Sequence, residues 1–302
     1  MTTKPEILLF NPKGDEQGWL VVLENNQAVP FETKRCYFIY GTKEGVVRGH
    51  HAHRKLKQLL VCVSGSVDIY CEYANSKETF KLDSPNKGLL LDGLVWHEML
   101  NFSKGAVLLV LADDYYDESD YVRDYKEFVT IQTKFVSYDE VFLEKSWEWL
   151  NDRELKDLTN TPDFTKEEQL NWFLNLPQKT NYFVKGVKYC DVPVGVWGLK
   201  NITANSAEYF GFIGEVNYWG KGIGRYMLQA AITQAKDKKL SRLCLYVRKN
   251  NLWAIDLYRS LGFEEKEGIK EDINSGRLMY MELKLRRFCI THLKKNRFGM
   301  IS

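Results

Sequence analysis

From Glu6 to about Lys134, apolar residues recur at every second position in short runs separated by turn residues. Arg35-Cys-Tyr-Phe-Ile-Tyr, Gln58-Leu-Leu-Val-Cys-Val, Ser66-Val-Asp-Ile-Tyr-Cys and Ala106-Val-Leu-Leu-Val-Leu are examples. Alternation with period two buries one face of a strand, and many such strands in succession make a β-sandwich or barrel. From about Phe135 the period lengthens. Trp147, Leu150, Leu155 and Leu158 fall at helical spacing, strands follow, and Ile223, Tyr226, Met227, Ala230 and Ala231 form a second helical stripe. A chain that changes period in this way holds two folded units, and 302 residues is enough for two cores of ordinary size. The expected division is an all-β unit over 1–134, an α/β unit with a mixed sheet over 135–284, and a tail over 285–302. The first strand of the second unit is expected at Thr133-Lys-Phe-Val-Ser-Tyr. The tail carries Arg286, Arg287, Lys294, Lys295 and Arg297 and no acidic residue, and is read as solvated or as an oligomer contact.

Charge narrows the function classes. Forty-two basic residues against 40 acidic ones leave a formal +2, so no single-signed surface points to nucleic acid. The longest apolar stretch, Ala106 to Ala112, is far short of the roughly 20 residues a bilayer span needs, which argues against a membrane. Near the start only Ile7 to Phe10 is apolar, too little for a signal core. A cytosolic protein with small-molecule partners is expected. The six cysteines (Cys36, Cys62, Cys71, Cys190, Cys244 and Cys289) contain no C-x-x-C pair and are read as reduced and structural. Aromatic residues make up 14%, more than a core requires, which suits stacking on a sugar or a base.

Four of the five histidines lie in the first unit, and His50, His51 and His53 fall within four positions. Side chains alternate along a strand, so His51 and His53 share a face while His50 and Ala52 take the other. The spacing is Gly45-x5-His51-x-His53-x4-Gln58-x6-Gly65, and then Gly88 followed by His97-x3-Asn101. His97 is expected to approach His51 and His53 from an opposing sheet. Three readings stand at this point: a metal site, metal-free acid/base chemistry, and a structural cluster. Gln58 disfavours the metal, because a neutral amide does little to offset a divalent charge. An imidazole with an ordinary pKa near ~6.5 both takes and returns protons around neutrality.

The two-part spacing resembles the double motif of the cupin superfamily, a small jelly-roll β-barrel whose first motif commonly carries a glutamate where Gln58 stands. Arg48-Gly-His-His-Ala-His, Val95-Trp-His-Glu-Met and Asp113-Asp-Tyr-Tyr-Asp-Glu-Ser-Asp-Tyr-Val-Arg-Asp-Tyr together resemble the cupin-type sugar-nucleotide 3,4-ketoisomerases. That resemblance implies a metal-free enzyme that moves the carbonyl of dTDP-4-keto-6-deoxyglucose from C4 to C3. His51 is then the base or proton shuttle, with His53 and His97 as further acid/base candidates. Arg48 is a candidate for the diphosphate, against a surface ion pair. Tyr37 is a candidate hydrogen-bond donor to the sugar, against a core position.

In the second unit, Phe212-Ile-Gly-Glu-Val-Asn-Tyr-Trp-Gly-Lys-Gly-Ile-Gly-Arg leads from a strand-like run into the helical stripe. A glycine loop that opens a helix presents main-chain N–H groups at the positive end of the helix dipole, where a diphosphate binds. A Rossmann site is the alternative, but no acidic residue follows at a position to hold a ribose. Leu243, Leu245 and Val247 then alternate as a strand, and Asn251-x2-Ala254-x2-Leu257-Tyr258-x3-Gly262-Phe263 reads as a short helix ending at glycine.

These paired motifs resemble the GNAT N-acetyltransferases. Trp219-Gly-Lys-Gly-Ile-Gly matches their acetyl-CoA loop, with Trp219 where Gln or Arg is usual. The resemblance implies acetyl-CoA as co-substrate, held by Gly220, Lys221, Gly222, Ile223, Gly224, Arg225 and Asn251. Tyr258 is implied as the acid for the departing thiolate, against a place in the core. Glu208 and Glu215 are candidate bases.

The whole is read as a bifunctional enzyme of dTDP-3-acetamido-3,6-dideoxyhexose formation, a sugar of the lipopolysaccharide O-antigen kind. It needs a PLP-dependent aminotransferase between its two reactions and is expected to be a homo-oligomer. The alternatives are an acetyltransferase with a non-catalytic sugar-nucleotide-binding cupin, and a metal-dependent oxygenase fused to an acetyltransferase.

Overall fold

The computed structural model describes residues 3–267 and 276–285. The chain divides into two compact units. One holds the residues up to Lys134 together with Lys188–Val192, and the other holds Phe135–Val187 and the residues from Pro193 onward. The basic tail, apart from Leu285, lies outside the described residues, as does Cys289.

The first unit has twelve short strands: β1 (Glu6–Leu9), β2 (Lys13–Asp15), β3 (Gly18–Leu20), β4 (Arg35–Tyr40), β5 (Arg48–His53), β6 (Lys57–Ser64), β7 (Val67–Tyr73), β8 (Ser76–Leu82), β9 (Lys87–Asp92), β10 (Trp96–Leu100), β11 (Val107–Ala112) and β12 (Tyr121–Val122). Ten of them form two antiparallel sheets, in the orders β1-β9-β6-β11-β4 and β12-β5-β10-β7-β8, as in a jelly roll. The apolar side chains of the alternating runs meet between the sheets, where Leu60, Ile69, Cys71, Leu82, Leu89 and Leu108 are buried. Burial of each large side chain is worth about 1.5–3 kcal/mol. Sheet one is covered on its other face by Val29 and Phe31, which pack on Leu59 and Val61.

The all-β expectation for this unit misses one helix, α1 (Tyr125–Gln132). Asp124 caps it by accepting Lys126 N–H, and it buries Phe128 and Val129, with Trp96 against Tyr125 and Phe128. Trp96 is thus a packing residue. Among the described cysteines no disulfide forms. Cys62 and Cys71 are buried, whereas Cys36 is exposed because it falls on the outward face of edge strand β4.

In the second unit, a seven-stranded sheet in the order β13-β14-β15-β16-β17-β19-β18 runs through β13 (Thr133–Ser137), β14 (Phe183–Tyr189), β15 (Val192–Lys200), β16 (Ser206–Ile213), β17 (Arg242–Arg248), β18 (Glu264–Lys266) and β19 (Leu278–Lys284). The sheet is mixed: β16 and β17 are parallel, whereas β17 and β19 are antiparallel. The expected helical stretch around Trp147 to Leu158 is two helices, α2 (Glu140–Asn151) and α3 (Arg153–Thr159). Asp152 breaks them with an extended backbone and caps α3 through Glu154 and Leu155 N–H. After α4 (Lys166–Leu174) come the two motif helices, α5 (Ile223–Asp237), which crosses from β16 to β17, and α6 (Leu252–Ser260). Among the described residues no helix is long and apolar enough to cross a membrane.

Candidate active sites

In the first unit, strand register assembles the site. β10 pairs with β5 so that His97 lies opposite His51, and β12 pairs with β5 so that Tyr121 lies opposite His53. His97 therefore does not come from the opposing sheet, as expected. It is the cross-strand neighbour of His51 in the same sheet, because β10 and β5 are adjacent. Ring centroids are 4.5 Å apart for His51 and His97, 5.0 Å for His51 and His53, and 6.2 Å for His53 and His97. The Tyr121 ring packs at a tilt against both, 4.3 Å from His53 and 5.0 Å from His51 between centroids.

A bulge supports this alignment. β5 carries Gly49 at φ 91° and His50 at φ 52°, opposite an irregularity between His97 and Glu98. A Cβ on Gly49 would come within 2.8 Å of the His97 carbonyl oxygen, so the close approach of the two strands requires glycine there. His50 turns outward, its Nδ1 3.2 Å from Glu98 Oε1.

Electrostatics keep the three inner imidazoles neutral. Burial lowers the pKa of His51, and burial puts His97 well below the ordinary value. Burial and the proximity of His51 push His53 down to about 4, against the pull of Asp120 in the other direction. The Nδ1 of His53 lies 3.0 Å from Asp120 Oδ2, and that of His97 lies 3.4 Å from the Val95 carbonyl. Among the described residues the buried Nδ1 of His51 and Nε2 of His53 have no hydrogen-bond partner. Buried polar atoms are nearly always satisfied, so two adjacent orphans mark a place for a polar ligand.

The opposing sheet supplies Tyr37 and Gln58. Gln58 Nε2 donates to the Tyr37 hydroxyl at 2.8 Å, so the phenol uses its oxygen as acceptor and keeps its proton to give elsewhere. Burial pushes Tyr37 up to about 12, which holds that proton at neutral pH. Arg35 lies over the Tyr37 ring at 5.4 Å and over Tyr116 at 5.7 Å, and its buried Nε has no partner. Arg48, by contrast, is exposed at the start of β5, opposite Met99. Sequence reasoning missed Arg35, Tyr121 and Asp120. The run from Asp113 to Tyr125 contained the last two, but no local pattern says which of its five aspartates folds back on His53.

In the second unit, β16 and β17 part company. β16 stays paired with β15 from Glu208 to Ile213, while its pairing with β17 ends at Glu208 opposite Cys244. Beyond that point the strands splay. The glycine loop lies between β16 and α5. Gly220 has φ 75° and Gly222, the N-cap of α5, has φ 94°, and no side chain caps the first turn. A Cβ built at either glycine meets nothing within 4 Å, so the loop is an open main-chain cradle. Lys221 lies within the cradle and Ile223, Gly224 and Arg225 follow it, with Ile223 buried in the core and Arg225 donating to Ser260 Oγ on α6. Trp219 Nε1 donates to the Ile213 carbonyl and so ties the loop to the end of β16.

Asn251 is the N-cap of α6, accepting Ala254 N–H at 3.2 Å. Tyr258 is half-buried beside Tyr209 and Phe263, and desolvation pushes its phenol up to about 12. Glu208 is buried, accepts from Asn201 and pairs with Lys200, and Glu215 accepts from Trp149 Nε1.

Comparison with known proteins matches two different families to two different parts of the chain. Residues 3–133 match the family described as FdtA (WxcM-like, C-terminal), and residues 143–263 match the acetyltransferase (GNAT) family. The first segment is 46% identical over 123 residues to a TDP-4-oxo-6-deoxy-alpha-D-glucose-3,4-oxoisomerase from Aneurinibacillus thermoaerophilus, covering 41% of this chain and 88% of the relative. A solved TDP-quinovose 3,4-ketoisomerase from Campylobacter jejuni is 45% identical, with 42% of this chain and 97% of that chain covered and a TM-score of 0.41. The second segment is 31% identical over 117 residues to an uncharacterized N-acetyltransferase from Methanocaldococcus jannaschii, covering 35% of this chain and half of that relative's length.

Proposed function

The chain belongs to the family of the sugar-nucleotide 3,4-ketoisomerases through its first unit and carries a GNAT acetyltransferase domain in its second, and on that premise we propose that it builds a dTDP-3-acetamido-3,6-dideoxyhexose in two separated steps. The observation that carries the isomerase half is the cluster of His51, His53 and His97, three neutral imidazoles of one sheet, two of which, His51 and His53, each keep a buried ring nitrogen without a partner among the described residues. In dTDP-4-keto-6-deoxyglucose, His51 takes the C3 proton, and an enediolate spans C3 and C4. A proton returns to C4 from the imidazolium, with His53 and His97 as the adjoining acid/base groups, while the hydroxyl proton passes from O3 to O4. The product is an isomer, so no oxidant is consumed. Such proton transfers contribute about 10²–10⁴-fold each. Tyr37, oriented by Gln58, donates to the oxygen on which charge develops, and Arg35 adds a cation at the same end. Arg48 remains the candidate for the diphosphate, reached from the exposed start of β5.

The second unit acetylates an amine with acetyl-CoA as co-substrate. The N–H groups of Gly220 to Arg225 receive the diphosphate, and the gap between β16 and β17 admits the thioester arm beside Asn251. The amine attacks the thioester carbonyl, the C–S bond breaks, and Tyr258 gives its proton to the thiolate. The burial that raises the phenol pKa acts on the departing thiol in the same direction, which keeps the two matched.

A ketone has no nitrogen to acylate. An aminotransferase of the PLP class must therefore act between the two reactions. The product suits a surface polysaccharide of the O-antigen kind, and a cytoplasmic location fits the supply of acetyl-CoA. A homo-oligomer is supported by hairpin β2–β3, whose residues are all exposed, Trp19 and Leu20 among them. The acetylation half is tested with a dTDP-3-amino-3,6-dideoxyhexose and acetyl-CoA. Saturable thiol release with the amino sugar and none with the keto sugar is expected, and absence of release with both overturns it.

A further inference from the structure

Asp120 ends the turn that leads into β12, and the pairing of β12 with β5 carries it to His53. Its Oδ2 lies 3.0 Å from His53 Nδ1, while Oδ1 accepts Lys55 N–H at 2.9 Å and Oδ2 also lies 3.4 Å from Leu56 N. Arg54 N–H donates to the Asp120 carbonyl at 2.9 Å, so main chain and side chain are both tied to the segment after His53. An ionised carboxylate accepts hydrogen bonds and gives none, and Nδ1 must therefore carry the imidazole proton. The lone pair then sits on Nε2, the buried atom that has no partner and shares a face with His51 and His97. His53 is 3% exposed and lies under the Tyr121 ring, so it has little freedom to turn over.

We propose that Asp120 is a positioning residue of the isomerase site, which fixes His53 in the tautomer with Nδ1 protonated so that Nε2 exchanges protons with the sugar. The proposal rests on the isomerase reading above. A bland alternative is that Asp120 only caps the turn at Lys55 and Leu56. Asp120→Asn separates the two. Lys55 N–H still demands an acceptor at the Oδ1 position, so the amide oxygen stays there and the NH₂ group takes the place of Oδ2. It then donates to His53 Nδ1 and moves the ring proton to Nε2, with Lys55 N–H still capped and only the long contact to Leu56 N–H lost.

Histidine ¹⁵N NMR of the whole protein reads the tautomer directly, with His53 assigned by its loss in His53→Asn. The expected result is Nδ1–H in the wild type and Nε2–H in Asp120→Asn. Isomerase kcat should fall by at least ~10²-fold, the lower bound usual for a lost acid/base group, with little change in KM and with acetyl transfer intact. A wild-type His53 protonated on Nε2 overturns the proposal without any variant, so poor folding of Asp120→Asn does not shelter it. An unmoved tautomer in Asp120→Asn, or a moved tautomer with wild-type kcat, also overturns it. Absence of isomerase turnover in the wild type overturns the functional reading itself, whichever tautomer is found.

Discussion

Alanine at Gly224 should make the second unit more stable and yet a poorer binder of acetyl-CoA. Gly224 lies in the first turn of α5, outside the positive-φ glycines, and a Cβ there would meet Leu257 Cδ2 at 3.6 Å and Ile213 Cδ1 at 3.9 Å, both ordinary contacts. Nothing among the described residues excludes the methyl group, and relief of glycine's helix penalty is worth about 0.5–1 kcal/mol. That corresponds to a rise of roughly 1–4 °C in the Tm of a unit this size. Gly222→Ala has open space among the described residues but a φ of 94°, so it should cost about 1–2 kcal/mol in backbone strain. A diphosphate on the N–H groups of this loop leaves no room for either methyl. Loss of one hydrogen bond to a charged group, about 1.5–3 kcal/mol, corresponds to roughly a 10- to 100-fold rise in the acetyl-CoA KM. Thermal melts and steady-state kinetics on the two variants read the two effects separately. A Gly224→Ala enzyme that is stabilised and binds acetyl-CoA as the wild type does would refute the main-chain cradle.

Two further outcomes follow from the titrating groups. Tyr258→Phe keeps the ring against Tyr209 and Phe263, so kcat for acetyl transfer should drop with little change in KM; an unchanged kcat assigns the residue to the core. The buried histidines make the first unit acid-labile. The unfolded chain takes up protons near ~6.5 but folded His53 only at about 4, so stability is lost as pH falls through that window. For His53 alone the loss is on the order of 2 kcal/mol by pH 5 and on the order of 3 kcal/mol at pH 4. Denaturant titrations of the first-unit transition at pH 7.5 and pH 5 check this, and equal stability at both would contradict neutral burial.

Local patterns carried much of this structure because they report on single strands and helices. The alternation around His51 gave the shared face of His51 and His53, and the helical stripe from Ile223 gave α5 behind an open glycine loop. The partner of His51 was not legible in that way. His97 lies 46 positions further along, and only the β5–β10 register, fixed by the Gly49 bulge, decides that it sits beside His51 rather than across the core. Asp120 was hidden for a related reason. Its role depends on a two-residue strand pairing with β5, too short to leave a period. Helix α1 buries only Phe128 and Val129 as apolar residues, and the break at Asp152 is a capping event inside an otherwise helical spacing.

On the proposed function, the first unit isomerises a keto sugar with its own imidazoles. ¹H NMR of dTDP-4-keto-6-deoxyglucose with chelator-treated enzyme, run beside His51→Asn, tests it most directly. Conversion to the 3-keto isomer by the treated wild type is expected, with a rate at least ~10²-fold lower in the variant, which should still acetylate the amino sugar. No conversion by the wild type, conversion only after a divalent metal is restored, or an undiminished rate in His51→Asn would contradict it.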